Sequence, residues 1–417
     1  MDRPTGGPSS RTALPRLVRP LQEFLSTETA GGVLLLAAAA AALIWANAPL
    51  GDSYRDFWGA HVAVELRVVS LDLPLVKWVN DGLMAVFFFV VGLEIKREVL
   101  RGELADARRA ALPVAAALGG MIVPALIYVA FNAGGDGAHG WGIPMATDIA
   151  FAVGVLALLG RRIPLSLKVF LLALAIVDDL GAIAVIAVFY TDDVSFGWLA
   201  AAAGVFALVF VLGRMRVRAL WAYVAAGAVA WLAVHESGVH ATIAGVAMGL
   251  LTPIDGTLGS RDAAAGAGGG PVLERLEHLL HPWASYAIVP IFALANAGVS
   301  LGGGALRDAA SAPVSLGVAA GLVLGKPLGI TIASLLAVRI GLATLPRGVS
   351  WPQIAGVSMV GGIGFTVSLF ISDLAFTSAP LADQAKIGIL AGSAAMGAAG
   401  FLVLRRVSMA SGASNGE

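Results

Sequence analysis

Cysteine is absent from this chain, so no disulfide, thiol nucleophile or cysteine-ligated metal is available to it. Charge is scarce: Asp, Glu, Lys and Arg make up 13%, against about 25% in soluble domains. The two signs balance to a formal net charge of zero, so there is no basic excess to hold a nucleic acid. What fills the chain instead is apolar. Hydrophobic residues reach 58% and mean hydropathy is +0.85. This composition is that of a polytopic membrane protein. The 52 glycines lie mostly inside apolar segments, where they favour close helix packing and broken helices over linkers.

Twelve apolar segments approach the roughly 20 residues that a helix needs to cross a bilayer. They lie at approximately 29–47, 79–98, 110–131, 141–160, 167–190, 196–213, 219–236, 238–252, 284–301, 314–338, 351–373 and 386–404. The expected fold is an all-α polytopic membrane protein with twelve transmembrane helices. Placing the N-terminus inside puts 21 of the 27 basic residues in cytoplasmic loops and tails. Arg55, Arg67, Lys77, Arg307 and Lys386 fall outside, and Lys326 lies within the tenth segment. The positive-inside rule therefore predicts two cytoplasmic termini. Residues 1–28 read as a cytoplasmic tail, 29–406 as the membrane domain and 407–417 as a second tail. Ala46-Asn47-Ala48 imitates a signal-peptide cleavage site, but the apolar run before it exceeds the usual 7–15 residues or so. An uncleaved first helix is the better reading.

Two loops have character of their own. Within the external loop 48–78, HVAVELRVVSLDLPL at 61–75 alternates with a period of two, which predicts a β-hairpin. Its edge is an expected pairing surface for a homodimer, the alternative being an ordered loop packed on its own protein. The cytoplasmic loop 253–283 contains DAAAGAGGGP at 262–271, a low-complexity linker.

A weak internal repeat relates GIPMATDIAFAVGVL at 142–156 to GVSMVGGIGFTVSLF at 356–370. Gly142/Gly356, Met145/Met359, Ile149/Ile363, Phe151/Phe365 and Val153/Val367 match at a constant offset of 214, as do Pro113 and Pro327. The fourth segment runs inward and the eleventh outward, so the repeat is inverted, an arrangement that places ion sites near the bilayer midplane. Asp148 aligns with Gly362. A buried aspartate in one segment and Gly361, Gly362 and Gly364 in the other predict that both helices unwind there.

At least four charges fall deep inside apolar segments: Asp148, Asp178, Asp179 and Lys326. Each costs at least about 2.5–3.5 kcal/mol at the bilayer centre and is expected to face a watery cavity or another charge. The plainer alternative is a buried pair that only fixes helix packing. Asp178 and Asp179 are helix neighbours about 100° apart, so they cannot share one direction. One can face a cavity while the other turns toward a partner such as Lys326. Burial and a neighbouring like charge favour a protonated carboxyl group, and a nearby ammonium favours the ionised form. Oxygen ligands suit a hard ion such as sodium or lithium. Protons and sodium competing for the same carboxylates yield exchange, provided the site opens to one side at a time.

These residues sit in long, ordered motifs. AIVDDLGAIAVI around Asp178 and Asp179, ATDIAFA around Thr147 and Asp148, GKPLG around Lys326 and VGLEIKREVL at 91–100 resemble the NhaA-type sodium/proton antiporters. So do SGVHATIAG at 237–245, LEHLLHPW and FALANAGVSL across 276–301. The resemblance runs from about residue 21 to 406. It implies helices three to five inverted relative to ten to twelve, with helices four and eleven interrupted at mid-membrane. Asp178 and Asp179 match the family's proton- and sodium-binding pair. Asp148, with Thr147 beside it, matches the aspartate that balances half-helix N-terminal dipoles, and Lys326 the lysine that offsets the carbonyl ends. The resemblance further implies electrogenic exchange of sodium or lithium for protons, no cofactor, no enzymatic activity and a bacterial inner (plasma) membrane location.

A second cluster lies at the expected cytoplasmic mouth. Glu94 and Glu98 share a helix face at i,i+4, with Arg97 between them. Carboxylates at a helix C-terminus oppose the macrodipole, so another interaction must favour them; the alternative is a solvated helix end. The family resemblance assigns these residues, with His240, Glu277, His278 and His281, to pH sensing. The histidine spacing lacks the H-E-x-x-H zinc pattern, and packing roles are the competing reading. Asp81 reads as a structural or capping aspartate. Among other functions, an intramembrane aspartyl protease needs a Gly-x-Gly-Asp setting, and residues 361–364 hold no aspartate. A passive cation channel or another cation-coupled transporter is separated from an exchanger by whether a pH gradient alone drives sodium uphill.

Overall fold

The computed structural model describes residues 14–49, 51–65, 70–191, 194–217, 219–254, 272–302 and 304–413; the linker 262–271 lies outside the described residues. Among the described residues, one two-stranded hairpin stands in an otherwise helical chain. Among the described residues eight helices are long and apolar enough to cross a membrane, or nine if the bent pair Trp351–Val360 and Phe365–Ala375 counts as one span. Leu220–Glu236 and Thr242–Leu251 are apolar but short. Met84–Arg101 is apolar until Glu94, Lys96, Arg97, Glu98 and Arg101 enter its last turns.

Which surfaces are buried identifies the solvent. Leu158, Val188, Phe196, Phe210, Trp221 and Ile340 are exposed, while Asn80, Asp178, Lys326, Ser334 and Ser358 are fully enclosed. Water would select the reverse. A bilayer selects this pattern, because lipid satisfies apolar side chains and leaves polar groups to find one another. The chain is a multi-pass membrane protein.

The elements depart from the sequence expectations in places. The first helix begins at Leu14, inside the stretch expected as tail. The external loop holds a short helix, Gly51–Gly59, before strands His61–Glu65 and Ser70–Pro74, which pair antiparallel with Ala63 opposite Asp72. The loop expected at 253–283 contains the helix Val272–Trp283, continued through a π turn, Ala284–Ile288, into Val289–Asn296. Its sequence is amphipathic: Leu273, Leu276 and Glu277 are buried on one face while Arg275 and His278 are exposed. Averaged hydropathy hides such a helix, because its polar face cancels its apolar one.

Close backbone crossings hold the bundle together. Thr242–Leu251 packs on Met84–Arg101, with Gly245 and Gly249 facing Ala85, Phe89 and Gly92. A Cβ at Gly249 would lie 2.6 Å from the Phe89 carbonyl oxygen, so only glycine permits the approach.

Candidate functional site

The site begins where two helices stop. Residues 138–145 form a 3-10 helix, the backbone is extended at Ala146 and Asp148, and an α-helix resumes at Ile149–Leu158. Across from it, Trp351–Val360 ends and Phe365–Ala375 starts after a bend of 47°. The two breaks touch through their backbones. The Asp148 amide donates to the Ile363 carbonyl at 2.6 Å, and the Thr147 hydroxyl donates to the Gly361 carbonyl at 2.8 Å. Glycine is needed at the crossing: a Cβ on Gly362 would meet the Leu322 carbonyl oxygen at 2.7 Å.

Asp148 joins the two helix N-termini that meet here. Its Oδ1 accepts from the Phe151 amide at 3.0 Å, capping its own helix. Its Oδ2 accepts from the Thr366 amide at 3.0 Å and the Thr366 hydroxyl at 2.6 Å. Each helix N-terminus carries about half a positive charge, so one carboxylate offsets both.

Lys326 answers from the other side. It follows a π turn at Gly321–Gly325, a local widening often found at functional sites. Its Nζ donates to Asp178 Oδ2 at 2.7 Å and to Thr147 Oγ1 at 3.0 Å. Lys326 and Asp178 are both 0% exposed, so each charge depends on the other. Asp179 points elsewhere. It lines a cavity with Glu94, Asp148, Ser285, His281 and Thr366. Oδ1 of Asp178 and Oδ1 of Asp179 are buried without hydrogen-bond partners. A buried site that leaves two carboxylate oxygens without hydrogen-bond partners is chemically suited to a small cation or a proton.

The cavity leads toward the end of Met84–Arg101 that carries Lys96, Arg97 and Arg101. His281 Nε2 lies 3.7 Å from Glu94 Oε1. Arg97 pairs with Glu277, and Arg101 pairs with Glu274 at 2.8 Å, so two ion pairs tie this helix to Val272–Trp283. Glu98 turns away and accepts the Glu103 amide at 2.6 Å, ordering the loop that follows. His278 is exposed on the same helix as Glu277 and His281. His240 is not part of this cluster. It precedes Thr242–Leu251 at the end away from Thr252, where it acts electrostatically on Asp81 together with Lys77 and His235. The alternation of crossings already puts it there, since the eighth segment, 238–252, starts on the outer side when the N-terminus is inside.

Comparison with known proteins identifies the group. The sequence profile of the family described as Na+/H+ antiporter 1 matches residues 22–404. The chain belongs to that family. It is 53% identical over 401 residues to Na(+)/H(+) antiporter NhaA 2 of Pseudomonas syringae pv. syringae (strain B728a), covering 96% of this chain and 98% of the relative. It is 48% identical over 390 residues to Na(+)/H(+) antiporter NhaA of Shewanella sp. (strain ANA-3), with 93% and 97% covered. The corresponding relative from Oleidesulfovibrio alaskensis (strain ATCC BAA-1058 / DSM 17464 / G20) is 46% identical over 425 residues, with 94% of each covered. This is a family of transporters, not of enzymes.

In this family member the structure adds a residue that the sequence reading overlooked. Thr366 supplies two of the hydrogen bonds that hold Asp148. Its only sequence signal was position, two residues past the Gly361–Gly364 break in the second repeat. Ser285, which lines the cavity, gave no signal at all.

Proposed function

We propose that the chain is an electrogenic secondary antiporter that exports sodium, or lithium, in exchange for a larger number of entering protons. Asp178 and Asp179 are the exchange site. A carboxylate there carries a proton or helps hold sodium, not both at once, so loading one ion releases the other. The observation that carries this reading is the pair of unpartnered Oδ1 atoms on adjacent buried aspartates, one beside Lys326 and one facing the cavity. Thr147 and Asp148 maintain the crossing, and Lys326 balances Asp178 and the carbonyl ends.

The proposed topology has twelve crossings, both termini cytoplasmic and the hairpin outside, in a bacterial inner membrane. Helices three to five invert relative to ten to twelve, and helices four and eleven are interrupted. Support comes from the Thr147–Gly361 hydrogen bond, whose sequence separation of 214 equals the offset of the repeat. Glu94, Arg97, Glu98, Glu277, His278 and His281 form a pH-responsive cytoplasmic mouth, and His240 a separate titrating group near Asp81. All five residues of His61–Glu65 are exposed, which favours a homodimer paired through the hairpin edge.

Everted vesicles with a respiration-built pH gradient test the activity. Sodium or lithium added to vesicles carrying the protein is expected to dissipate the gradient, and an imposed pH gradient alone is expected to drive sodium uphill. Sodium movement that never exceeds its own gradient would make the protein a passive channel. Silence from mildly acidic to alkaline pH would remove sodium as the substrate. In the same assay Thr366→Val is expected to lower exchange about tenfold, since a hydrogen bond to a charged group is worth about 1.5–3 kcal/mol, while Thr366→Ser keeps most of it. Equal activity in the two variants would show that the hydroxyl is dispensable.

A further inference from the structure

The cavity at Asp179 is closed on the side facing the hairpin, and the closure has two layers. Three helices bound the cavity there: Met84–Arg101 with Val91, Val289–Asn296 with Val289, and Phe365–Ala375 with Val367. One turn further along each, Phe88, Phe292 and Phe370 meet. The ring centroids of Phe88 and Phe370 are 5.4 Å apart, and those of Phe292 and Phe370 6.2 Å. All three rings are at most 2% exposed. A dry aromatic layer of this kind bars hydrated ions.

Further out on the same three segments is a polar layer. Asn80, in the π turn that leads into Met84–Arg101, exchanges amide hydrogen bonds with Asn296 at 3.1 and 2.7 Å. Asn80 Nδ2 also donates to Asp373 Oδ2 at 2.9 Å, and Lys77 Nζ reaches the same oxygen at 3.3 Å. Asn80 and Asn296 are 0% and 2% exposed, so these amides have traded water for one another. Helical spacing links the layers. Thr366, Phe370 and Asp373 follow one another at i+4 and i+3, as Val289, Phe292 and Asn296 do at i+3 and i+4. The half-helix that holds Asp148 through Thr366 is therefore the one that Asp373 fastens.

We propose that Asn80, Asn296, Asp373 and Lys77 are the latch of an external gate, with Phe88, Phe292 and Phe370 as its plug, and that both layers part when the site turns outward. The proposal rests on the antiporter reading and its topology. Discrete hydrogen bonds across three helices suit a latch, because they are satisfied in one arrangement and broken together in the other. Opening on one side while the other stays shut is what separates an exchanger from a leak.

The absence of cysteine makes the test direct. Val367, at the cavity face of the plug, is replaced by cysteine to give the only thiol in the chain. A membrane-impermeant trimethylammonium methanethiosulfonate is applied to right-side-out and everted vesicles. Labelling is expected to be slow from the hairpin side and faster from the other. Asn80→Ala with Asp373→Asn is expected to raise the hairpin-side rate by at least about tenfold, the shift that accompanies 1.4 kcal/mol. Lys77→Met, a milder cut at the exposed edge, is expected to raise it less. An unchanged hairpin-side rate in the cut variants, with each present in the membrane and labelled from the other side, overturns the latch. Sodium-driven exchange is followed on the same vesicles with the parent protein. Its absence would sink the antiporter reading while the labelling still decides the gate.

Discussion

Asp179→Asn is expected to abolish sodium-driven proton movement, by at least about 100-fold or 2.7 kcal/mol, and to leave the protein no less stable than its parent. The two halves of this expectation share one cause. Asp179 is 4% exposed and lines the cavity, and its Oδ1 is buried with no hydrogen-bond partner. An ionised carboxylate held that way costs stability that an amide of the same shape does not. The cost is tolerated if the oxygen is kept for an ion. Dissipation of the pH gradient in vesicles reads the first half, and the thermal midpoint of the detergent-purified protein reads the second. Full activity in the variant would make Asp179 structural and shift the exchange site toward Asp148. A large drop in the midpoint would show that Asp179 carries packing, contrary to its position on the cavity wall.

Lys326→Met is expected to do the opposite to stability. Its Nζ lies 2.7 Å from Asp178 Oδ2, and both side chains are 0% exposed. Removing one member of such a pair strands the other charge, at about 3–5 kcal/mol. Thr147 loses a partner as well. Adding Asp178→Asn to Lys326→Met takes the stranded charge away, so the double variant is expected to recover at least about 1 kcal/mol of the loss. Thermal midpoints of the parent, the two single variants and the double variant close this cycle. Strict additivity would mean that the pair is not coupled, and the division of labour between the two aspartates would fail with it. The contrast is the informative part: Asp178 and Asp179 are adjacent and chemically identical, yet only one is expected to matter for stability.

That division was not legible in the chain. Neighbouring helix positions must point apart, so the sequence required that one aspartate turn toward a partner and the other toward a cavity. It did not say which. The choice depends on how Lys326–Arg339 is rotated against Leu165–Phe189, and the π turn at Gly321–Gly325 sets that rotation just before Lys326. Thr366 was missed for a related reason, since its bond to Asp148 spans 218 residues and exists only where the two breaks cross. His240 and the mouth cluster were grouped by chemistry, although the alternation of crossings separates them as the fold does.

By itself the sequence determined that the protein lives in a bilayer, where its apolar segments lie and that Asp148, Asp178, Asp179 and Lys326 sit deep within them. It also carried the 214-residue offset on which the two helix breaks meet. These are legible because the bilayer penalises a misplaced charge or an unsatisfied backbone group by several kcal/mol, which leaves a mark residue by residue. Only the tertiary structure decided that Asp178 takes Lys326, that Asp179 faces the cavity, and that Asn80, Asn296 and Asp373 close the far side. Those outcomes follow from helix rotation and register, which are set by many small packing contacts between residues distant in the chain, and no local pattern records their sum.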